Sequence, residues 1–199
     1  MIWIALAALL AALIVYRLKN RVDVDHLPQT FLVFVLETTG PDPERHEIIE
    51  IGAIKVGRDA TVLDTFRSLV RPATVIPGRV TELTGITQVS IDREGKPLTE
   101  VVRQFSAFVG DLPMVGFNAD LGMAFLGNAS QRSGSSLTNQ VSCARKMTNR
   151  AWPERKSQGL SELAKSDKSG GEAKHRVLDD CRKVLAVYLA AASRLGKVS

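Results

Sequence analysis

The chain has 199 residues, 45% of them hydrophobic, which is enough for one domain with a full core and too few for two ordinary domains. Its formal charge of +5 does not by itself indicate nucleic-acid binding. Arg17, Lys19 and Arg21 precede the first acidic residue, and the rest of the chain carries 23 basic against 21 acidic residues. The two cysteines, Cys143 and Cys181, lack zinc-ligand spacing, which argues against structural zinc and fits a reducing compartment.

The first sixteen residues contain no charged side chain and, as a helix, would reach about 24 Å. Snorkelling of the basic side chains that follow would extend this segment to the roughly 30 Å core of a bilayer. We therefore predict a membrane anchor at 1–18, a linker at 19–29 and a domain at 30–195. A cleaved signal peptide is the alternative, although its positive charge normally precedes the apolar run. The positive-inside rule places the domain on the cytoplasmic side of an inner or plasma membrane.

Three β-prone runs open the domain. The run 30–36 is almost entirely apolar, which is typical of a strand buried on both faces. The runs 47–56 and 61–70 follow after short connections, and alternate side chains of the third run point to opposite faces. Together they predict an antiparallel meander.

Helices and one further strand complete the predicted domain. A short helix at 80–83 ends at Gly85, and apolar residues at three-and-four spacing predict an amphipathic helix at 98–109. A strand at 113–117 precedes a helix that Asp120 is predicted to cap. Loops are predicted at 133–136 and 166–171, and a final helix at 174–195, with a core-facing stripe of Val177, Leu178, Val184, Leu185 and Tyr188. This order indicates an α/β fold with a mixed five-stranded sheet flanked by helices.

Two acidic residues are candidate metal ligands: Glu37 at the end of the first strand and Asp180 on the last helix. Hard divalent cations prefer carboxylate oxygens, and paired ions can support the attacking and leaving oxygens of phosphodiester hydrolysis. His175 stands five residues before Asp180 and is the candidate group for orienting or deprotonating a water.

Five sequence blocks, in order, resemble the DEDDh family of 3'-to-5' exonucleases, which includes the proofreading epsilon subunit of bacterial DNA polymerase III and ribonuclease T. The blocks are Val35–Gly40, Ile48–Ala53, Glu82–Thr87, Val115–Ala119 and His175–Asp180. The resemblance implies a ribonuclease H-like fold, Mg²⁺ or Mn²⁺ as cofactor and the 3' ends of DNA or RNA as substrate. It also makes a polymerase a candidate protein partner.

The sequence departs from the family pattern at two of four acidic positions. Val35 stands where the family has its first Asp, and Gly122 stands where the second motif has its Asp. Phe117 replaces the histidine that usually precedes Asn118. Since two metal ligands are missing, we expect weakened metal binding and impaired catalysis. Asp120 is the nearest substitute, but two helical residues turn it roughly 200° away from Gly122.

The resemblance also implies that Thr38, Thr39 and Asn118 contact the 3'-terminal nucleotide or support the metal loop. The alternative is turn chemistry and hydrogen bonding at the strand end. A basic run with an interleaved aromatic ring could follow a nucleic-acid backbone or form a solvated helix face. It comprises Arg145, Lys146, Arg150, Trp152, Arg155 and Lys156.

Four functional hypotheses follow. The first is a membrane-anchored exonuclease relative that has lost most catalysis and still binds 3' ends. The second is an active exonuclease that uses one metal ion, His175 and a displaced acid. The third is a membrane-tethered interaction module that uses the fold as a scaffold. The fourth is an active enzyme in which Val35 and Gly122 are introduced substitutions.

Overall fold

The computed structural model describes residues 27–155, 159–160 and 177–196. The predicted anchor, nearly all of the linker, the loop at 166–171 and His175 lie outside the described residues. Within the described ranges, no helix is both long and apolar enough to cross a membrane.

A mixed five-stranded sheet forms the centre of the domain, as the sequence predicts. Its strands are β1 (Thr30–Thr38), β2 (Ile48–Gly57), β3 (Val62–Leu69), β4 (Met114–Gly116) and β5 (Val141–Cys143). The strand order is β3-β2-β1-β4-β5. Strands β1, β2 and β3 form the predicted antiparallel meander, whereas β4 runs parallel to β1 and β5 parallel to β4. The three-residue β5 was not located in the sequence because Val141, Ser142 and Cys143 form no apolar run of the kind that marks the equally short β4.

Six helices are described: α1 (Gly78–Thr84), α2 (Gln88–Glu94), α3 (Leu98–Val109), α4 (Ala119–Ser133), α5 (Ala144–Ala151) and α6 (Val177–Gly196). The predicted bounds of α3 are confirmed, and Gly85 ends α1 in the left-handed conformation, with φ of 73°. A capping box between Thr87 and Ser90 starts α2. Helix α2 was not predicted, since its seven residues contain only two apolar ones, Val89 and Ile91. Helix α5 agrees with the helix-face interpretation of the basic run, although its bounds were not predicted.

The prediction that Asp120 caps α4 is wrong. The helix begins at Ala119, two residues earlier than a cap at Asp120 requires, so Asn118 is at the N-cap position, and its side chain makes no capping hydrogen bond. Asp120 lies in the first turn, where a carboxylate interacts favourably with the helix macrodipole, and its Oδ2 is 2.6 Å from Lys146 Nζ.

Two apolar layers cover the sheet. On one face, Leu32 and Phe34 of β1 pack with α3 and α4. On the other, Phe31 and Val33 pack with α5 and α6. The core-facing stripe of α6 is confirmed, because Val177, Val184, Leu185 and Tyr188 are buried and Leu178 is partly buried against them.

Gly52 of β2 allows the first turn of α6 to lie directly against the sheet. A Cβ atom at Gly52 would be 2.4 Å from Val177 Cγ2 and 2.6 Å from Val177 Cγ1. Gly52 pairs with Val35 across the β1–β2 ladder. This close approach brings α6 to the end of β1 at which the sequence motifs converge.

Candidate active site at the end of strand β1

Two carboxylates face each other across β1 and β2. Side chains alternate along a strand, so Val35 and Glu37 share one face of β1. Glu37 is the cross-strand partner of Glu50, and the Glu50 side chain is only 4% exposed. Like charges directly opposite one another are destabilising in a sheet, so this pair needs compensating charge nearby.

Asp180 in the first turn of α6 is the third carboxylate of this region. Burial raises the pKa of Glu50, hydrogen bonding and attraction from Arg67 oppose that rise, and the negative charge of Asp180 adds to it. The following residue, Cys181, is buried in the apolar cluster against which Val35 packs. The structure therefore brings Asp180 to the Val35 and Glu37 face of the sheet, as the motif pattern requires.

Basic side chains bind two of these carboxylates. Lys183 Nζ donates to Asp180 Oδ1 at 2.7 Å, with the two side chains 21% and 6% exposed. Arg67 Nε donates to Glu50 Oε1 at 2.6 Å. The sequence analysis missed Glu50, Arg67 and Lys183 as members of the site.

Two signals in the sequence could have found these residues. A glutamate within an otherwise apolar strand needs a partner when it is buried. A lysine three residues after an aspartate lies beside it on a helix.

Gly122 lies against the opposite face of β1. A Cβ atom there would be 2.9 Å from Phe34 Cε2 and 4.0 Å from Leu36 Cδ1. Both of these residues point away from the Val35 and Glu37 face. A side chain at position 122 therefore requires the buried ring of Phe34, or α4 itself, to move.

The described residues do not fit a site for two divalent ions. Val35 and Gly122 have no side-chain oxygen, and Asp180 already accepts a hydrogen bond from the Lys183 ammonium. Within 27–155, 159–160 and 177–196, no group of three or more His, Cys, Asp or Glu residues is arranged to hold a metal ion.

The threonines of the first motif have structural hydrogen bonds. Thr38 Oγ1 donates to the Gly40 carbonyl at 2.7 Å, and buried Thr39 Oγ1 accepts from the Glu47 N–H at 2.9 Å. The backbone carbonyl of Asn118 accepts from Gly122 N–H at 3.1 Å. Strand-end bonding is thus present at Thr38 and Thr39, and nucleotide contact by these residues stays a prediction.

The predicted basic run has partners within the domain. Lys146 is paired with Asp120, and the guanidinium of Arg155 lies 4.9 Å from the centre of the Trp152 ring. Lys156 lies outside the described residues. Contact of this run with a nucleic-acid backbone stays a prediction.

A cleft of about 670 Å³ opens beside Glu50 and the first turn of α6. Its lining includes part of the third sequence block, Glu82–Thr87, and three arginines. The lining residues are Glu50, Arg67, Leu69, Thr84, Gly85, Ile86, Ser90, Arg93, Glu94, Val177, Leu178, Asp179 and Arg182. The motif around Gly85 therefore forms a wall of this cleft, next to the carboxylate cluster.

Comparisons with known proteins agree with this geometry. A family model described as "Exonuclease" matches residues 13–188. The DNA polymerase III subunit epsilon of Aquifex aeolicus is 31% identical over 171 residues, which cover 85% of the chain and 83% of that protein. The PolC-type DNA polymerase III of Clostridium perfringens is 35% identical over 153 residues, covering 76% of the chain. The chain spans only 10% of that polymerase.

Solved structures share the fold. The nuclease domain of 3'hExo bound to rAMP, a DEDDh family member, superposes with a TM-score of 0.70 at 21% identity, covering 83% of this chain and 92% of that one. E. coli exonuclease I in complex with a dT13 oligonucleotide gives a TM-score of 0.74 at 18% identity, covering 86% and 42%. Together with the family model and the epsilon-subunit relative, these likenesses establish that the chain belongs to the DEDDh exonuclease family, with its ribonuclease H-like fold.

Proposed function

We propose that this protein binds the 3' ends of DNA or RNA through an exonuclease fold whose own hydrolysis is impaired. The observation that carries the proposal is the carboxylate cluster, in which Val35 stands beside Glu37 in place of an acid and Lys183 is bonded to Asp180. Gly122, at the second substituted acidic position, offers no side-chain oxygen either. Losses around a metal ligand typically weaken affinity or activity by about 10- to 100-fold, and loss of ligands themselves removes more. Binding of Mg²⁺ or Mn²⁺ is therefore weakened in this proposal.

The cleft beside Glu50 supports the binding part of the proposal. Its volume of about 670 Å³ falls within the size range of small-molecule sites, and a single nucleotide is of that class. Arg67, Arg93 and Arg182 line it, and guanidinium groups match phosphate oxygens in geometry. Solved relatives were crystallised with oligonucleotides or rAMP. We place the 3'-terminal nucleotide of the ligand in this cleft.

Release of nucleotides from 5'-labelled single strands tests the catalytic part. The full-length protein in a non-ionic detergent should release none above background with Mg²⁺ or Mn²⁺. The double variant Val35→Asp/Gly122→Asp is first checked for native folding by circular dichroism, because a side chain at position 122 must displace the Phe34 ring. If folded, it should gain release, and adding Asp180→Asn should abolish that gain. If the wild type released nucleotides robustly and Asp180→Asn removed this activity, the protein would instead be an active enzyme that works with Glu37, His175 and Asp180.

Fluorescence anisotropy with single-stranded DNA and RNA tests the binding part. Arg93→Ala should weaken binding to a strand with a free 3' hydroxyl by about tenfold, the effect of losing one charge-assisted phosphate contact. Arg103→Ala is the matched control, because Arg103 is on α3 and does not line the cleft, whereas Arg93 does. Both arginines are bonded within their own helices, Arg93 to Glu94 and Arg103 to the Thr99 carbonyl. Equal effects of the two changes would contradict the location of the nucleotide in this cleft. Affinity that does not fall with added salt would favour an interaction module without a nucleic-acid ligand.

We also propose that residues 1–18 anchor the protein, with its domain on the cytoplasmic side of an inner or plasma membrane. The uncharged first sixteen residues and the basic residues that follow support this proposal. The full chain should stay with membranes during an alkaline carbonate wash, and a variant lacking 1–18 should be released. A mature protein that begins near residue 19 would indicate a cleaved signal peptide instead.

A further inference from the structure

The protein's own basic side chains bind carboxylates at the end of the sheet where family members place metal ions. Lys183 is bonded to Asp180 and Arg67 to Glu50, at 2.7 and 2.6 Å. Glu37 lies directly across from Glu50. Three carboxylates and two basic groups are thus concentrated around the β1–β2 ladder and the first turn of α6.

A buried carboxylate without opposite charge is strongly unfavourable, so this cluster needs positive charge to fold. In a four-acid site, divalent cations bound between the carboxylates provide it. Here two of the four acidic positions cannot coordinate an ion through their side chains, because they are Val35 and Gly122. The remaining acids still need a cation.

We propose that the ammonium of Lys183 takes over the charge-neutralising role of a metal ion at Asp180, so that this end of the domain is stable without divalent cations. The inference deepens the proposed function and rests on it for the loss of the metal site. It assigns Lys183 a positioning role, since its ammonium neutralises and orients the Asp180 carboxylate on the same helix rather than touching a substrate.

The neighbouring ion pair on α6 shows why Lys183 is not an ordinary surface lysine. Arg182 is bonded to Asp179 at 2.9 Å with the same three-residue spacing, but those side chains are 52% and 45% exposed. Exposed pairs of this kind contribute little to stability. The Lys183 and Asp180 side chains are 21% and 6% exposed, so their attraction is much less screened by water.

Thermal unfolding of the full-length protein in a non-ionic detergent, followed by circular dichroism, tests the inference. The wild type should unfold at the same temperature, within about 1 °C, in EDTA and in excess Mn²⁺. In EDTA, Lys183→Met should lower the Tm by about 5 °C or more beyond the loss caused by Arg182→Met, which is the matched control. Mn²⁺ should restore at least half of that loss, because the carboxylate can then accept an external cation.

Two further variants keep the test decisive if Lys183→Met folds poorly. Lys183→Arg keeps the charge and should remain near the wild-type Tm without responding to Mn²⁺. Lys183→Met/Asp180→Leu removes both charges and should be more stable than Lys183→Met alone, again without a Mn²⁺ response. A wild-type Tm that rises with Mn²⁺ as much as that of Lys183→Met, or equal losses from Lys183→Met and Arg182→Met, would overturn the inference.

These results separate the inference from the proposed function. If the wild type cleaves strands but its Tm does not respond to Mn²⁺, the proposal of impaired catalysis is contradicted and the role of Lys183 is not. If the wild type does not cleave strands but its Tm rises with Mn²⁺, the role of Lys183 is contradicted and the proposal of impaired catalysis is not.

Discussion

Replacing Gly52 by alanine should displace the first turn of α6 from the sheet. The new Cβ would lie 2.4, 2.6 and 2.9 Å from Cγ2, Cγ1 and Cβ of Val177. Val177 is 2% exposed, and a β-branched side chain in a helix has one strongly preferred rotamer, so it cannot turn away from the contact. The helix itself must therefore move.

The expected loss follows from two opposing terms. Overpacking a core costs about 1–3 kcal/mol, and three contacts below 3 Å place this case near about 3 kcal/mol. Alanine is favoured over glycine within a strand by about 0.5–1 kcal/mol, which offsets part of that cost. The net loss should be about 2 kcal/mol, or a Tm lowered by roughly 4–8 °C for a chain of this size.

Urea unfolding of the full-length protein in a non-ionic detergent measures this loss. Gly127→Ala is the control for the same chemical change, because a Cβ at this α4 position meets nothing within 4 Å. It should stabilise the protein by about 0.5–1 kcal/mol. Adding Val177→Ala to Gly52→Ala removes two of the three contacts and should recover part of the loss. If Gly52→Ala matched the wild type while Gly127→Ala stabilised it, the argument for helix docking on Gly52 would be refuted.

Three other predictions can be measured equally directly. In urea unfolding, Gly122→Ala should be about 1–3 kcal/mol less stable than Gly127→Ala. The reason is that, of the two positions, 122 has an aromatic ring 2.9 Å from the new methyl group. Equal stabilities would show that the ring adapts. Thr39→Val should lower the free energy of unfolding by about 1–3 kcal/mol, because it leaves the Glu47 N–H without its side-chain acceptor. Thr39→Ser keeps the hydroxyl and should lower it by less than about 1 kcal/mol. Similar losses would mean that this hydrogen bond contributes nothing. The Cys181 thiol is fully buried and should react with a thiol reagent only after unfolding; rapid labelling of the native protein would contradict the packing of α6 on the sheet.

Much of the fold was predictable because local patterns report burial. The apolar run of β1, the alternation in β3 and the three-and-four spacing of α3 each describe one face of one element. The short strand β5 was missed, since its three residues with a central serine form no apolar run. The bounds of α5 were not predicted, although a solvated helix face was one interpretation of its basic residues. The start of α4 was misplaced by two residues because Asn118 and Asp120 are both acceptable at an N-cap.

The candidate site was predictable in part. The motif blocks identified Glu37 and Asp180, and tertiary packing brings Asp180 to the face of the sheet that carries Glu37. The sequence did not reveal that Gly122 lies under Phe34 on the opposite face of β1, because that contact joins residues 88 positions apart along the chain.

The sequence by itself determined the family of this protein and its order of strands and helices. Motif blocks and hydrophobic periodicity are visible in short stretches of sequence, without knowledge of how distant residues pack. It also determined the absence of carboxylates at Val35 and Gly122. Only the tertiary structure decided how the remaining acids are neutralised. Asp179 and Asp180 each have a basic residue three positions later, and docking of α6 on Gly52 buries one of these pairs and leaves the other exposed. The difference between an ordinary surface ion pair and a substitute for a metal ion therefore lies in solvent exposure, which depends on the whole fold.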